Sequence, residues 1–137
     1  MSRKKEINQK ITALYCRISL EDGGDNESMS ISNQKLMLKD YAEKIGLFQH
    51  EYYVDDGYTG TDFDRPEFIR LMDDVRTGKI QCIIVKDLSR FGRNFIETGY
   101  YIETIFPCLN VRLISINDDF DSSREEDRNL SLIHISE

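Results

Sequence analysis

Histidine and cysteine are scarce in this 137-residue sequence: His50 and His134, and Cys16, Cys82 and Cys108. Neither type clusters at metal-ligand spacing, and no Cys-x-x-Cys pair occurs, which excludes the usual His/Cys metal sites. An odd number of unspaced thiols is no disulfide framework; buried, reduced cysteines are expected. Long apolar runs are missing as well. None approaches the roughly 20 residues that span a bilayer, and the polar stretch 1–10 lacks the apolar core of a signal peptide. The expectation is a cytosolic protein with no membrane contact. Positive charge is also short, with 18 Lys and Arg against 25 Asp and Glu, a net charge of −7. Strong nonspecific DNA affinity needs many cations to displace counterions, so a broadly basic binding surface is excluded. A local cluster of cations is not, because salt screens a diffuse charge over about 8 to 10 Å.

What is present is the pattern of one ordinary globular domain, with 39% hydrophobic and 31% charged residues. Residues 11–19 form an apolar run that predicts a strand buried on both faces. A Gly-, Asp- and Asn-rich loop follows. Then Ile31, Leu38, Tyr41, Ala42 and Ile45 fall on one helical stripe, with Ser28 or Ser30 as cap and Gly46 as stop. Residues 51–54 predict a short strand, and Asp55 to Thr61 a polar loop. Asp64 is the expected cap of the next helix, with Pro66 in its first turn. Phe68, Leu71, Met72 and Val75 recur at helical spacing, and Gly78 stops that helix. Residues 80–85 predict a second buried strand, 94–106 a helix ended by Pro107, and 111–116 a further strand. Alternating strands and helices predict an α/β domain: three layers, with a central, mostly parallel sheet flanked by helices. The expected organisation is a polar extension at 1–10, a domain at 11–119, and a charged, irregular tail at 120–137.

Two segments suit a phosphate. Tyr15-Cys16-Arg17-Ile18-Ser19 closes the first strand with a hydroxyl two residues after a guanidinium. Lys86-Asp87-Leu88-Ser89-Arg90-Phe91-Gly92-Arg93 closes another with two arginines three apart. Arginine's planar fork grips phosphate oxygens by paired hydrogen bonds and keeps its charge, and a serine beside such a grip is a candidate nucleophile. Taken alone, Ser19 reads as a loop or cap serine, Arg90 and Arg93 as a solvated face or as partners of Asp87 and Glu97, Arg65 as a surface residue, and Gln34 as a plain polar helix residue. Arg17 resists such a reading, since a charge inside an apolar strand needs a partner or a ligand. In open α/β sheets sites form at strand carboxyl ends, which would bring these segments to one rim. Tyr15 is expected in the core, its hydroxyl reaching that rim.

At these residues the chain resembles the serine recombinases, the resolvase and invertase group. The resemblance runs from Ile11 to about Asp119. It rests on Tyr15-Cys16-Arg17-Ile18-Ser19, Ser30-Ile31-Ser32-Asn33-Gln34, Asp55-Asp56-Gly57-Tyr58-Thr59-Gly60, Asp64-Arg65-Pro66 and Leu88-Ser89-Arg90-Phe91-Gly92-Arg93. The segment Tyr58-Thr59-Gly60-Thr61 looks most like the large members that act as transposases or integrases of mobile elements. The resemblance implies a resolvase-like fold in which Ser19 attacks a DNA phosphodiester and holds the 5′ phosphate covalently. It implies that Arg17, Arg65, Arg90 and Arg93 grip the phosphate, that Tyr15, Gln34 and Asp87 support the site, and that no metal or other cofactor is needed. It also implies double-stranded DNA as partner, a homodimer and synaptic tetramer in the full-length protein, and a bacterial, nucleoid-associated location. The dimer helix and DNA-binding domains of the family lie beyond the matched motifs, so the fragment is read as a catalytic domain with little recombination by itself. Ser89 departs from the pattern, standing where members often carry Asp; Asp87 lies two residues earlier, and the proton acceptor for Ser19 stays unassigned.

Two other readings compete. Asp55, Asp56, Asp87, Asp118 and Asp119 all follow predicted strands, and such carboxylates hold magnesium in phosphotransferases and nucleases. A non-catalytic α/β interaction module is the third. Only the recombinase reading uses Arg17, Ser19, Arg90 and Arg93 together.

Overall fold

A computed structural model describes residues 10–17, 31–55, 66–88 and 99–123. Its first strand, β1 (Ile11–Arg17), has five consecutive buried residues, as its uninterrupted apolar run requires. Period-two alternation splits them. Ala13 and Tyr15 enter one hydrophobic cluster, and Leu14 and Cys16 enter another on the opposite face.

Each face is covered by a helix. Helix α1 (Ile31–Lys44) lays Leu38 and Ala42 against Leu14, Cys16, Cys82, Ile84 and Ile114. Helix α2 (Pro66–Arg76) lays Phe68, Leu71, Met72 and Val75 against Ala13, Tyr15, Tyr53, Ile83 and Val85. Both helices end in the same way. Leu47 N–H donates to Ala42 and Lys79 N–H to Asp74, closing Schellman turns around Gly46 (φ 88°) and Gly78 (φ 85°). Those positive φ values suit glycine, which has no Cβ to clash.

The remaining strands are β2 (His50–Asp55), β3 (Ile80–Val85), β4 (Arg112–Ser115) and β5 (Phe120–Asp121). Their order is β2-β1-β3-β4-β5, with the first four parallel and β5 antiparallel to β4. The α/β, three-layer expectation is therefore met. The sheet also continues past the boundary expected at residue 119. Phe120, buried in the core, and Asp121 add an edge strand from the segment read as an irregular tail.

One local expectation differs from the structure. Pro107 does not stop a helix. A π-helical turn, Tyr101–Ile105, runs into α3 (Phe106–Leu109), which holds Pro107 in its first turn and ends at Asn110 in the left-handed region. Proline lacks an N–H and crowds the carbonyl four residues back; the widened turn directly before it absorbs both defects. The start of α2 has an acceptor remote in sequence. Asp64 lies outside the described residues, as do 94–98 of the expected third helix, and Asp55 at the end of β2 receives the Glu67 and Phe68 N–H groups at 3.0 and 3.1 Å.

An aromatic chain ties these parts together. Tyr15 meets Phe68 edge-on at 5.8 Å, Phe68 meets Tyr101 at 5.6 Å, and Tyr101 stacks on Phe106 at 5.7 Å. The π turn is thereby packed onto the same core as β1 and α2. Among the described residues, no helix is long and apolar enough to cross a membrane.

Candidate functional site

From β1 the chain crosses one face to β2; from β3 it leaves for β4 on the other side. The sheet order therefore reverses between β1 and β3, and a crevice opens outside the carboxyl ends of strands at such a point. Of the two sequence segments singled out for phosphate chemistry, one ends β1 and the other follows β3. Register brings their ends level, with Tyr15 beside Val85, Arg17 beside Asp55, and Val85 beside Ser115.

Arg17 is the last residue of β1 and is half-buried. Its backbone is held by Gln34. The Arg17 N–H donates to Gln34 Oε1 at 3.2 Å, and Gln34 Nε2 donates to the Arg17 carbonyl at 3.3 Å. Gln34 is fully buried. It is not a solvated polar residue of the helix surface but an amide spent, in part, on closing the end of β1 to α1. A primary amide can satisfy both backbone groups of one residue at once, because it carries a donor and an acceptor side by side.

Tyr15 is fully buried, as expected, and its hydroxyl donates to Asp55 Oδ2 at 2.8 Å. Asp55 also accepts from the first turn of α2, where a carboxylate complements the positive helix end. This aspartate anchors the helix that follows Arg65, a role missed in reading the sequence. No local signal announces it, because the acceptor is remote in sequence from the amides it caps.

Asp87 lies just past β3, half-buried, with Lys86 Nζ 3.8 Å from its carboxylate. Beyond it, the Leu88 N–H donates to Asp118 Oδ2 at 2.8 Å, and Asp118 accepts a second bond from the buried Ser115 hydroxyl at 2.7 Å. In the sequence, Asp118 and Asp55 were both weighed as possible magnesium ligands. Both are engaged by protein donors, and no group of three or more metal-ligating side chains gathers among the described residues. Ser19, Arg65, Arg90, Arg93 and Asp56 lie outside the described residues.

Cys16 stands between Tyr15 and Arg17 but offers no nucleophile. Burial pushes its thiol up to about 12, with Lys35 only partly opposing the shift. Burial does the same to Cys82, also to about 12. The expectation of buried thiols holds for these two; Cys108 is exposed.

Open, mostly parallel α/β sheets take ligands at the switch-point rim, and here the strand exits on both sides of that point are anchored. The chain belongs to the resolvase family: the family described as Resolvase, N terminal domain, matches residues 12–136. It is a catalytic domain of the serine site-specific recombinase kind. Its fold is similar to the N-terminal catalytic domain of TP901-1 integrase, with a TM-score of 0.75 and 30% identity over 93% of this chain and 92% of that one. It is similar to a resolvase family site-specific recombinase from Streptococcus pneumoniae, with a TM-score of 0.73 and 27% identity over 93% and 87%. A putative DNA recombinase of Bacillus subtilis (strain 168) is 29% identical over 113 residues, 82% of this chain. The match spans 22% of that protein's length.

Proposed function

We propose that this domain cleaves and rejoins double-stranded DNA through a covalent 5′-phosphoserine on Ser19. The Ser19 oxygen attacks the phosphorus of one linkage. A bond from that oxygen to phosphorus forms, the bond to the 3′ oxygen breaks, and the serine proton leaves as the 3′ oxygen gains one. Charge on the non-bridging oxygens grows in the transition state. Arg17, Arg65, Arg90 and Arg93 stabilise it, since fixed guanidinium groups are worth most where charge develops. The phosphoserine conserves the bond energy, so a 3′ hydroxyl reverses the step without nucleotide or metal.

The observation carrying this reading is the switch point between β1 and β3, whose exits lead to Ser19 on one side and to Arg90 and Arg93 on the other. Gln34 supports it by fixing the backbone two residues before the serine. Tyr15 acts one step back, through Asp55 and the start of α2. Asp87 supports the exit of β3. In the complete protein, pairs of subunits assemble as a synaptic tetramer on two DNA sites, and the work is done on the bacterial nucleoid.

The test is to trap the complete protein on nicked duplexes tiled across the DNA that flanks its gene. A covalent protein–DNA band mapping to Ser19, absent in Ser19→Ala and unaffected by EDTA, is expected. A band that persists in Ser19→Ala would falsify the nucleophile, and one lost with EDTA would favour the magnesium reading.

A further inference from the structure

We propose that Asp118 is a positioning residue for the arginine-bearing segment after β3, an inference that rests on the serine recombinase reading. The exit of β3 is stitched to the turn after β4 residue by residue. The Ile116 N–H donates to the Val85 carbonyl at 3.1 Å and the Asn117 N–H to the Lys86 carbonyl at 2.8 Å. The ladder then changes character. At Leu88 the chain offers an N–H, and the acceptor is no longer backbone but the Asp118 carboxylate.

That carboxylate is itself held. The Ser115 hydroxyl, fully buried at the end of β4, donates to the same oxygen at 2.7 Å. The turn that carries Asp118 is closed by the Asp119 N–H on the Ile116 carbonyl, with Asp119 at φ 52°. It is pinned on its far side by Phe120 in the core. Leu88 packs its side chain against that core as well. Here a charge-assisted bond, roughly twice as strong as a neutral one, grips the chain two residues before Arg90 and five before Arg93. Asp118 touches no substrate in this scheme. It acts by limiting where those guanidinium groups can start from, and an offset of about 1 Å in such a group costs roughly 10²-fold in rate.

The test uses the complete protein on the nicked duplex that traps it, with adduct formation followed in a single turnover at saturating DNA. Amide hydrogen exchange at Leu88 is followed in parallel. Asp118→Ala is expected to slow adduct formation by about 10- to 100-fold and to speed exchange at Leu88, with exchange in β1 unchanged. Asp118→Asn, which keeps an acceptor oxygen, restores most of the rate. Ser115→Ala gives a smaller loss and decides the matter if Asp118→Ala does not fold. An adduct rate equal to the parent's in Asp118→Ala, or in Ser115→Ala where the former is unfolded, overturns the inference. So does an Asn variant no better than Ala. An adduct that persists in Ser19→Ala sinks the recombinase reading instead, and leaves the exchange result at Leu88 standing as a separate measurement.

Discussion

The Tyr15 hydroxyl donates to Asp55 across two neighbouring parallel strands, and the same carboxylate caps helix α2 through Glu67 and Phe68. One buried acid thus joins β1, β2 and the helix that follows Arg65. Removing the acid removes three hydrogen bonds, whereas removing the hydroxyl leaves two of them intact. Asp55→Ala is expected to cost about 3 kcal/mol and Tyr15→Phe about 1 kcal/mol. Urea midpoints of the two variants check this. Equal losses would mean that the tyrosine bond, not the cap, carries the stability.

Gln34 makes a distinct prediction because its amide both donates and accepts. Gln34→Ala loses both bonds to Arg17 and is expected to cost about 2 kcal/mol. Gln34→Glu keeps an acceptor for the Arg17 N–H but sets a carboxylate oxygen against the Arg17 carbonyl. It should be at least as unstable near neutral pH as the Ala variant, despite closer similarity in shape. Thermal unfolding measures stability, and adduct formation should fall in both variants, since the held backbone leads to Ser19. A Glu variant as stable as the parent would contradict the two-bond arrangement.

The cysteines separate by environment. Cys16 and Cys82 are buried and protonated at neutral pH, and Cys108 is exposed. The thiolate is the reacting form. Iodoacetamide at pH 8 should therefore label Cys108 in the folded protein, with Cys16 and Cys82 labelled only after denaturation. Peptide mass mapping gives the answer directly, and early labelling of Cys16 would mean that the end of β1 opens readily.

Acid should find the edge of the sheet. Burial raises the Asp121 pKa, but hydrogen bonds from Arg112 and Ser123 outweigh it and lower the group from 3.8 to about 2. Arg112 reaches that carboxylate at 2.6 and 3.0 Å. A carboxyl with a depressed folded pKa contributes stability above its unfolded pKa and loses it as pH falls through the folded value. The contribution, roughly 2 kcal/mol at most, is thus present above about pH 4, falls as pH drops through 2, and is gone near pH 1. Asp121→Asn should be less stable at pH 6, and its difference from the parent should shrink through pH 2 and vanish by about pH 1. A constant difference across that range would count against the ion pair.

Much of the scaffold was legible in the order of residues. The stripe of Phe68, Leu71, Met72 and Val75 is α2, and the apolar run 80–85 is β3, because periodicity and strand burial are local consequences of local chemistry. Pro107 was misread since its accommodation depends on a widened turn packed through Tyr101 onto the core. Taken alone Gln34 read as a plain polar helix residue, and only the family resemblance marked it, because nothing near it in sequence says that the end of β1 will lie against it.

The chain's order of apolar and polar residues determined the α/β alternation and the burial of Cys16 and Cys82. Tertiary structure alone decided which acids serve as anchors. Asp55 and Asp118 became acceptors for amides 12 and 30 residues away because the crossovers set strand ends side by side. Hydrogen bonds act over about 3 Å, so the partners of a strand end are chosen by what the fold brings next to it.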